Sequence, residues 1–238
     1  MEQQDLTHHW SRQFNEELEK VRTNVLAMGG LVEEQLRLAI RAVVKGDSEL
    51  GEQVARDDYK VNHLEVSIDE DCSRIIARRQ PTAGDLRLLM AVIKTITDLE
   101  RIGDEAEKIG YLASRLAVLE RPVDSYVGLQ HLADLVGNML HKALDAFARL
   151  DPELAMRVVR QDQVVDQEYE ALSRQGITLM MEDPRSIRRV LDMMWAARAL
   201  ERIGDHAKNI CEYVVFMVHG KDIRHVSIDD AEKEVLSG

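Results

Sequence analysis

The sequence has 238 residues with 43 acidic and 31 basic side chains, and its net charge of −12 argues against direct binding to the phosphate backbone of a nucleic acid. Aromatic residues account for only 4% of the chain and there are only four prolines, a composition that favours an all-α protein of long helices over a sheet. No apolar run reaches the roughly 18 residues of a membrane span, and the first residues lack the pattern of a signal peptide, so we expect a cytoplasmic protein. Cys72 and Cys211 have no metal-binding spacing and are expected to be buried as small hydrophobic residues.

Start and stop signals along the chain predict six helices. Gly46 ends the first helical stretch, and Asp47 can cap the next one. Asp151 and Asp183 each precede a proline, the residue favoured at the first position of a helix. From these signals we predict helices at about residues 10–45, 48–79, 83–119, 125–149, 152–181 and 184–219.

The two halves of the chain repeat one pattern. Residues of the first half match residues 104 positions later, as Asp58 matches Asp162. After the next connecting segment the offset becomes 101, and the motif LERIGD occurs at residues 99–104 and again at residues 200–205. A fixed offset of this kind indicates internal duplication.

Short turns between long helices predict how each half folds. They favour antiparallel neighbours, so we expect two tandem antiparallel three-helix bundles. We place the first bundle at residues 1–121 and the second at residues 122–238. The second includes a polar C-terminal tail that we expect to be poorly ordered at its end.

Acidic residues continue an apolar stripe on the third helix of each half. With about 100° between successive residues, Glu100 and Asp104 fall in the same sector, about 80° wide, as the apolar residues at the start of that helix. Glu201 and Asp205 repeat this arrangement in the second half. Because a bundle buries the apolar stripe of each helix, these carboxylates are expected where unpaired charge is costly.

The second helix of each half carries matching residues. In the second half Asp162 and Asp166 are four positions apart and share a face. Their equivalents in the first half are Asp58 and Asn62, and Glu65 is a further acidic candidate there. Carboxylates on facing helices would repel one another unless they were protonated or bridged by cations. We therefore predict a divalent-metal site in each half, altered in the first half by Asn62.

The predicted ligand atoms are oxygens, since His63 and His206 point away from the acidic faces. Oxygen ligands favour Mg²⁺ or Mn²⁺, with iron or zinc as alternatives. Gly103 and Gly204 lie in mid-helix beside the acids, where they indicate close approach of a neighbouring helix.

Two other interpretations remain open. A metal-dependent phosphohydrolase could hold two cations in the acidic clusters to activate water, although no nucleophile, positioned base or histidine ligand accompanies them. A purely structural bundle could instead leave the acids solvated, since charged residues four apart are common on exposed helix faces.

Several stretches of the chain form a distinctive set. They are MGGLVEEQL at residues 28–36, RRQPTAGDLR at 78–87, LERIGDEAEKI at 99–109, DQEYE at 166–170, MMEDPR at 180–185 and LERIGDHAKNICEYVVF at 200–216. Together they strongly resemble the PhoU family of bacterial phosphate-signalling regulators, in its enterobacterial type. The resemblance runs from about Trp10 to the tail, which is nearly the whole chain.

The resemblance implies two repeated three-helix bundles and paired E/D-x-x-x-D motifs that bind multinuclear metal clusters. Asn62 departs from that acidic pattern. The positions of this chain that match the motif are Glu100, Asp104, Glu201, Asp205, Asp162, Asp166 and Asp58.

The resemblance also implies a regulatory function without catalysis. A family member of this kind is a cytoplasmic adaptor that couples the high-affinity phosphate ABC transporter, through its ATPase subunit, to a phosphate-sensing histidine kinase. It holds the phosphate-starvation response off while phosphate is plentiful, meets the membrane only through these partners, and forms a homodimer.

Overall fold

The computed structural model describes the backbone over residues 2–122 and 124–236 and the side chains over residues 12–122 and 124–233. No strand occurs in these residues, and the all-α prediction is confirmed. A 3-10 turn, Pro184–Ser186, precedes α7. In chain order the helices are α1 (Glu2–Lys45), α2 (Ser48–Asp57), α3 (Tyr59–Arg79), α4 (Ala83–Ala117), α5 (Val127–Arg149), α6 (Pro152–Glu182), α7 (Ile187–His219) and α8 (Ile228–Leu236).

Local signals in the sequence set several of these boundaries. The Asp47 carboxylate accepts a hydrogen bond from the backbone N–H of Leu50 at 3.0 Å, and Asp151 accepts one from Leu154 at 2.9 Å. Each bond satisfies one of the free N–H groups at the start of a helix. Gly46, between α1 and α2, has a φ of 70°, which glycine adopts without steric cost.

Two predicted elements differ from the structure. The predicted helix at 48–79 is interrupted at Asp58, so α2 and α3 are separate helices although the Asp58 backbone stays in the right-handed helical region. The polar tail contains α8, which Arg160 of α6 holds by ion pairs to Asp229 at 3.0 Å and to Glu232 at 2.5 Å. Ala231 of α8 is buried in the core and Ile228 packs against it, so apolar contacts and ion pairs together hold this helix. The expectation of poor order at the end of the tail falls on residues 237–238, which lie outside the described residues.

Each half of the chain forms an antiparallel bundle of long helices. The first contains α1, α2 with α3, and α4, and the second contains α5, α6 and α7. Helices α4 and α7 pack against each other more extensively than any other pair, and their buried side chains belong to one core that includes both halves. The duplicated third helices therefore form the centre of the molecule. The division at residue 121 stays a prediction.

Buried polar contacts join the two central helices. Asp98 of α4, which is 4% exposed, accepts hydrogen bonds from His206 Nδ1 at 2.7 Å and from Asn209 Nδ2 at 3.1 Å, both on α7. Arg202 of α7 pairs with Glu105 of α4 at 2.9 Å. Because a buried charge is stable only when it is paired, these contacts fix the register of α4 against α7.

Both cysteines lie in this core. Cys72 and Cys211 are free thiols and fully buried, as predicted. No helix among the described residues has the length and apolar character needed to cross a bilayer.

Candidate metal centre

The predicted acidic residues of the first half lie together where the start of α3 meets the middle of α4. Asp58 lies at the bottom of this N-terminal cluster, with 5% of its surface exposed. Its carboxylate accepts hydrogen bonds from Gln35 Nε2 at 3.1 Å and from Asn62 Nδ2 at 3.0 Å. Two neutral amides thus orient this carboxylate, and neither cancels its charge.

Three carboxylates of the N-terminal cluster converge. Oxygen atoms of Asp58, Asp104 and Glu107 all lie within 4.8 Å of one another. Glu65 and Glu100 flank them and are partly buried. In the described part of the chain, no lysine, arginine or histidine forms an ion pair with any of these five acids.

Burial and repulsion between carboxylates raise the pKa of acidic residues in this cluster. Burial, followed by the charge of Asp104 and that of Glu65, raises the pKa of Glu100. Burial and then the charges of Asp58 and Asp104 raise the pKa of Glu107. Since like charges in one site favour protonation, a multivalent cation here would relieve repulsion that the fold imposes.

The close approach predicted at Gly103 is confirmed. A Cβ atom at Gly103 would lie 3.0 Å from Asp58 Oδ1 and 3.4 Å from Gln35 Oε1. The missing side chain therefore leaves the space that the Asp58 carboxylate and the Gln35 amide occupy. Alanine at this position would press on the oxygens of the cluster.

The C-terminal cluster has the same framework. Asp162 of α6 is 4% exposed and lies beside α7, opposite Gly204, where a Cβ atom would be 3.3 Å from Val165 and 3.9 Å from Asp162 Oδ1. Asp166, Glu201 and Asp205 complete this cluster.

Burial also dominates the acidity of the C-terminal cluster. Burial and the charge of Asp162 raise the pKa of Asp166 and of Asp205, and burial together with Asp205 raises that of Glu201. The structure thus brings the nine predicted residues together as two clusters, one in each half.

Two positively charged side chains already pair with carboxylates of the C-terminal cluster. Lys208 Nζ donates to Asp162 Oδ2 at 2.7 Å, and Arg198 pairs with Glu201 at 2.6 Å. Burial lowers the pKa of Lys208, but the hydrogen bond to Asp162 and the charge of Asp162 outweigh burial, and the net shift is upward. No three carboxylates of this cluster approach one another as closely as those around Asp58, among the residues the structure describes.

Sequence reasoning missed three residues of these clusters. Glu107 and Lys208 each follow the second acid of their motif by three positions, so the same helical face continues through them and could have revealed them. Gln35 carries no local signal, because it lies on α1 and reaches Asp58 only through the packing of the bundle. His206, which was expected to point away from the acidic face, bonds to Asp98 of α4.

The donor set of the N-terminal cluster fits a hard divalent cation. It consists of carboxylate oxygens and the amide oxygen of Gln35. Gln35 is buried, with only 7% of its surface exposed, yet its amide oxygen accepts no hydrogen bond among the described residues. Mg²⁺ and Mn²⁺ prefer such oxygen ligands. Iron and zinc remain alternatives.

Comparison with known proteins identifies the family. The PhoU domain matches residues 25–113 and again residues 129–214, once in each half of the chain. The chain belongs to the PhoU family. The resemblance seen in the sequence is thereby confirmed.

PhoU proteins from several bacteria are similar over nearly their whole length. The Escherichia coli protein, named phosphate-specific transport system accessory protein PhoU, is 50% identical, and the alignment covers 100% of this chain and 98% of that one. A Pseudomonas putida homologue of the same name is 51% identical over 98% of this chain and 91% of its own length.

A solved structure agrees with the fold. The crystal structure of PhoU from Pseudomonas aeruginosa has 50% sequence identity and a TM-score of 0.85, and covers 87% of this chain and 100% of its own. The relatives are named as accessory proteins, and none of these names describes an enzyme.

Proposed function

We propose that this PhoU protein is a cytoplasmic regulator of phosphate homeostasis. In plentiful phosphate it couples the phosphate ABC transporter, at its ATPase subunit, to the phosphate-sensing histidine kinase and holds the starvation response off. The observation that carries this proposal is near full-length similarity to proteins named as accessory to the phosphate-specific transport system. The net charge of −12 argues against direct nucleic-acid binding.

A complementation experiment tests the regulatory role. A bacterial strain that lacks its own PhoU protein and carries an alkaline phosphatase reporter would express this chain in high phosphate. We expect the reporter to be repressed, as it is in the parent strain. Full reporter activity in high phosphate, with the chain present at normal abundance, would contradict the proposal.

The proposed contacts require a separate binding measurement. Purified chain should bind the cytoplasmic part of the kinase and the ATPase subunit of the transporter, each captured on a sensor surface. Binding to neither partner would exclude the coupling role even if repression were restored. Analytical ultracentrifugation of the chain alone tests the proposed homodimer, for which we expect a single species of twice the chain mass.

We also propose that the two acidic clusters hold divalent cations, with Mg²⁺ or Mn²⁺ as the natural ions. Asp58, Asp104, Glu107 and the Gln35 amide oxygen would provide ligands in the first half, and Asp162, Asp166, Glu201 and Asp205 in the second. A bound cation would supply positive charge that neutralises like-charged carboxylates on neighbouring helices.

Metal reloading tests this second part. The chain is stripped with a chelator, titrated with Mn²⁺ in a calorimeter and examined by elemental analysis after dialysis. Asp58→Asn should remove binding at the N-terminal cluster, whereas Glu70→Gln, at an exposed position of α3, is the matched control and should not change it. A parent chain that retains no more metal than Asp58→Asn would show that the N-terminal cluster binds none, and a parent chain that retains no metal at all would show that the acids of both clusters are merely solvated. Assay of the Mn²⁺-loaded chain for phosphomonoester hydrolysis tests the alternative of a phosphohydrolase.

A further inference from the structure

Duplication has left the two clusters unequal around the buried aspartate. At equivalent positions of the repeat, Glu107 in the first half corresponds to Lys208 in the second, where an ammonium group replaces a carboxylate. The buried aspartate itself is retained as Asp58 and Asp162. The framework is thus repeated, while Glu107 is exchanged for Lys208 and, in the opposite direction, Asn62 is exchanged for Asp166.

Another exchange has the same direction as that of Glu107 for Lys208. Gln35, whose amide donates to Asp58, corresponds through the offset of 104 to Met139 in the second half. Met139 is fully buried and lies beside Gly204, so the second cluster has an apolar side chain where the first has an amide. The C-terminal cluster therefore lacks one neutral oxygen donor. Asp162 takes its hydrogen bond from Lys208 instead.

The charges of the two clusters differ accordingly. The N-terminal cluster has five carboxylates with no paired cation among the described residues, and an amide oxygen, Gln35 Oε1, that is buried without a donor. The C-terminal cluster has four carboxylates, two of which already pair with Lys208 and Arg198. Only two of its four negative charges remain uncompensated.

We propose that Lys208 is a built-in competitor for the cation of the C-terminal cluster, so that a divalent ion fills the N-terminal cluster first. This inference rests on the proposed metal binding. The ammonium group of Lys208 donates a hydrogen bond to Asp162 Oδ2, an oxygen that a metal ion would use as a ligand. A metal ion must therefore displace this ammonium group and then bind with its positive charge still nearby. In the N-terminal cluster no ammonium group has to be displaced, and no paired positive charge repels the metal ion.

Because of this competition, the fraction of C-terminal clusters that hold a metal ion would depend on the divalent-ion concentration. The N-terminal cluster would stay loaded over a wide range of divalent-ion concentration. The C-terminal cluster would exchange Lys208 for metal only at higher concentration. The Lys208 side chain, 30% exposed, can swing into solvent when it is displaced, because lysine heads are readily solvated at the end of a flexible stem.

Variants in which only one cluster can still bind metal test the proposal. In an Asp58→Asn background, calorimetry with Mn²⁺ reports the C-terminal cluster, and adding Lys208→Gln should tighten its Kd about tenfold or more, a factor equivalent to about 1.4 kcal/mol. In an Asp162→Asn background, which reports the N-terminal cluster, Glu107→Lys should weaken the Kd by a similar factor.

Controls separate a local effect from net charge and from misfolding. Lys45→Gln removes one positive charge at the end of α1, about 15 Å along the helix beyond Gln35, and should leave both Kd values unchanged. Lys208→Gln alone, measured by electron paramagnetic resonance of Mn²⁺, gives the total bound metal without the aspartate substitutions. Circular dichroism establishes that each variant is folded.

The outcomes distinguish the two levels of the argument. Saturable Mn²⁺ binding with the same C-terminal Kd in the presence and absence of Lys208 would overturn the competition and leave the proposed metal centre intact. An absence of saturable binding in every background would overturn the metal centre itself, and the inference with it. A C-terminal Kd that Lys208→Gln tightens, together with an N-terminal Kd that Glu107→Lys weakens, supports the proposal.

Discussion

Replacing Glu212 by glutamine is predicted to stabilise the chain above neutral pH. Glu212 lies on α7, one turn beyond Lys208, and only 8% of its surface is exposed. Burial raises its pKa from 4.5 to about 7, against the opposing charges of Lys208 and Arg224. At about 1.4 kcal/mol for each pH unit, this rise corresponds to about 3 kcal/mol of differential stability.

The direction of the pH dependence follows from the raised pKa of an acid. The stability that protonated Glu212 contributes is complete below pH 4.5 and is lost as the pH rises through about 7. Glutamine resembles the protonated form at every pH. The unfolding free energy of Glu212→Gln should therefore match that of the parent near pH 4.5 and exceed it by about 3 kcal/mol at pH 8.5.

Urea unfolding in the presence of a chelator measures this difference. The parent and the variant are unfolded at several values between pH 4.5 and pH 8.5, and Glu182→Gln, an exposed position at the end of α6, is the matched control. A stability difference that stays constant across this range would refute the reasoning. A variant that is less stable at pH 8.5 would show that attraction to the charge of Lys208 outweighs the cost of burying the carboxylate.

Two further predictions concern packing, and urea unfolding tests both. Asp98→Ala should lower the unfolding free energy by about 3 kcal/mol, because it leaves the buried His206 without its acceptor; an unchanged midpoint would mean that the contact between α4 and α7 is not stabilising. Gly51→Ala should cost about 2 kcal/mol, since its Cβ would lie 2.5 Å from the Gly110 carbonyl oxygen, whereas Gly30→Ala, exposed with open space around it, should add up to about 1 kcal/mol. Equal effects of the two alanines would contradict the proposed close contact.

Helical periodicity predicted the acidic pairs on α4, α6 and α7, because the two members of each pair lie on one helix. Glu100 and Asp104 share a sector of α4 with buried apolar residues, and a regular helix leaves no freedom in where that sector points. The neighbouring acid, Asp58, followed from duplication, since its equivalent Asp162 belongs to a clearer acidic pair. Gln35 could not be predicted, because its contact with Asp58 depends on how α1 packs against the rest of the bundle.

Element boundaries depended on signals of different strength. The aspartate caps at Asp47 and Asp151 are local and were predicted correctly. The interruption at Asp58 has no such signal, since the residue remains in helical conformation and the apolar period continues through it. Helix α8 packs Ala231 and Ile228 against the core and pairs Asp229 with Arg160, and a charge pairing across 69 residues of sequence leaves no periodic pattern.

The contacts between the two halves could not be predicted from the repeated sequence pattern, because some of them use residues that differ between the repeats. A repeat predicts that equivalent positions behave alike, but Asp98 corresponds to Ala199 and its partner His206 corresponds to Glu105. The hydrogen bonds from His206 and Asn209 to Asp98 therefore use residues that the repeats do not share. Asymmetry of this kind is visible only when both helices are placed side by side.

The same argument applies to the charge of the clusters. Duplicated helices keep the buried aspartate and the glycine opposite it, because both are fixed by close packing of backbone against carboxylate. The position three residues beyond the motif lies at the edge of the cluster, where either Glu107 or Lys208 fits without disturbing the core. Packing thus fixes the place of the buried aspartate in both halves, while the less constrained edge position sets whether a carboxylate or an ammonium group lies beside it.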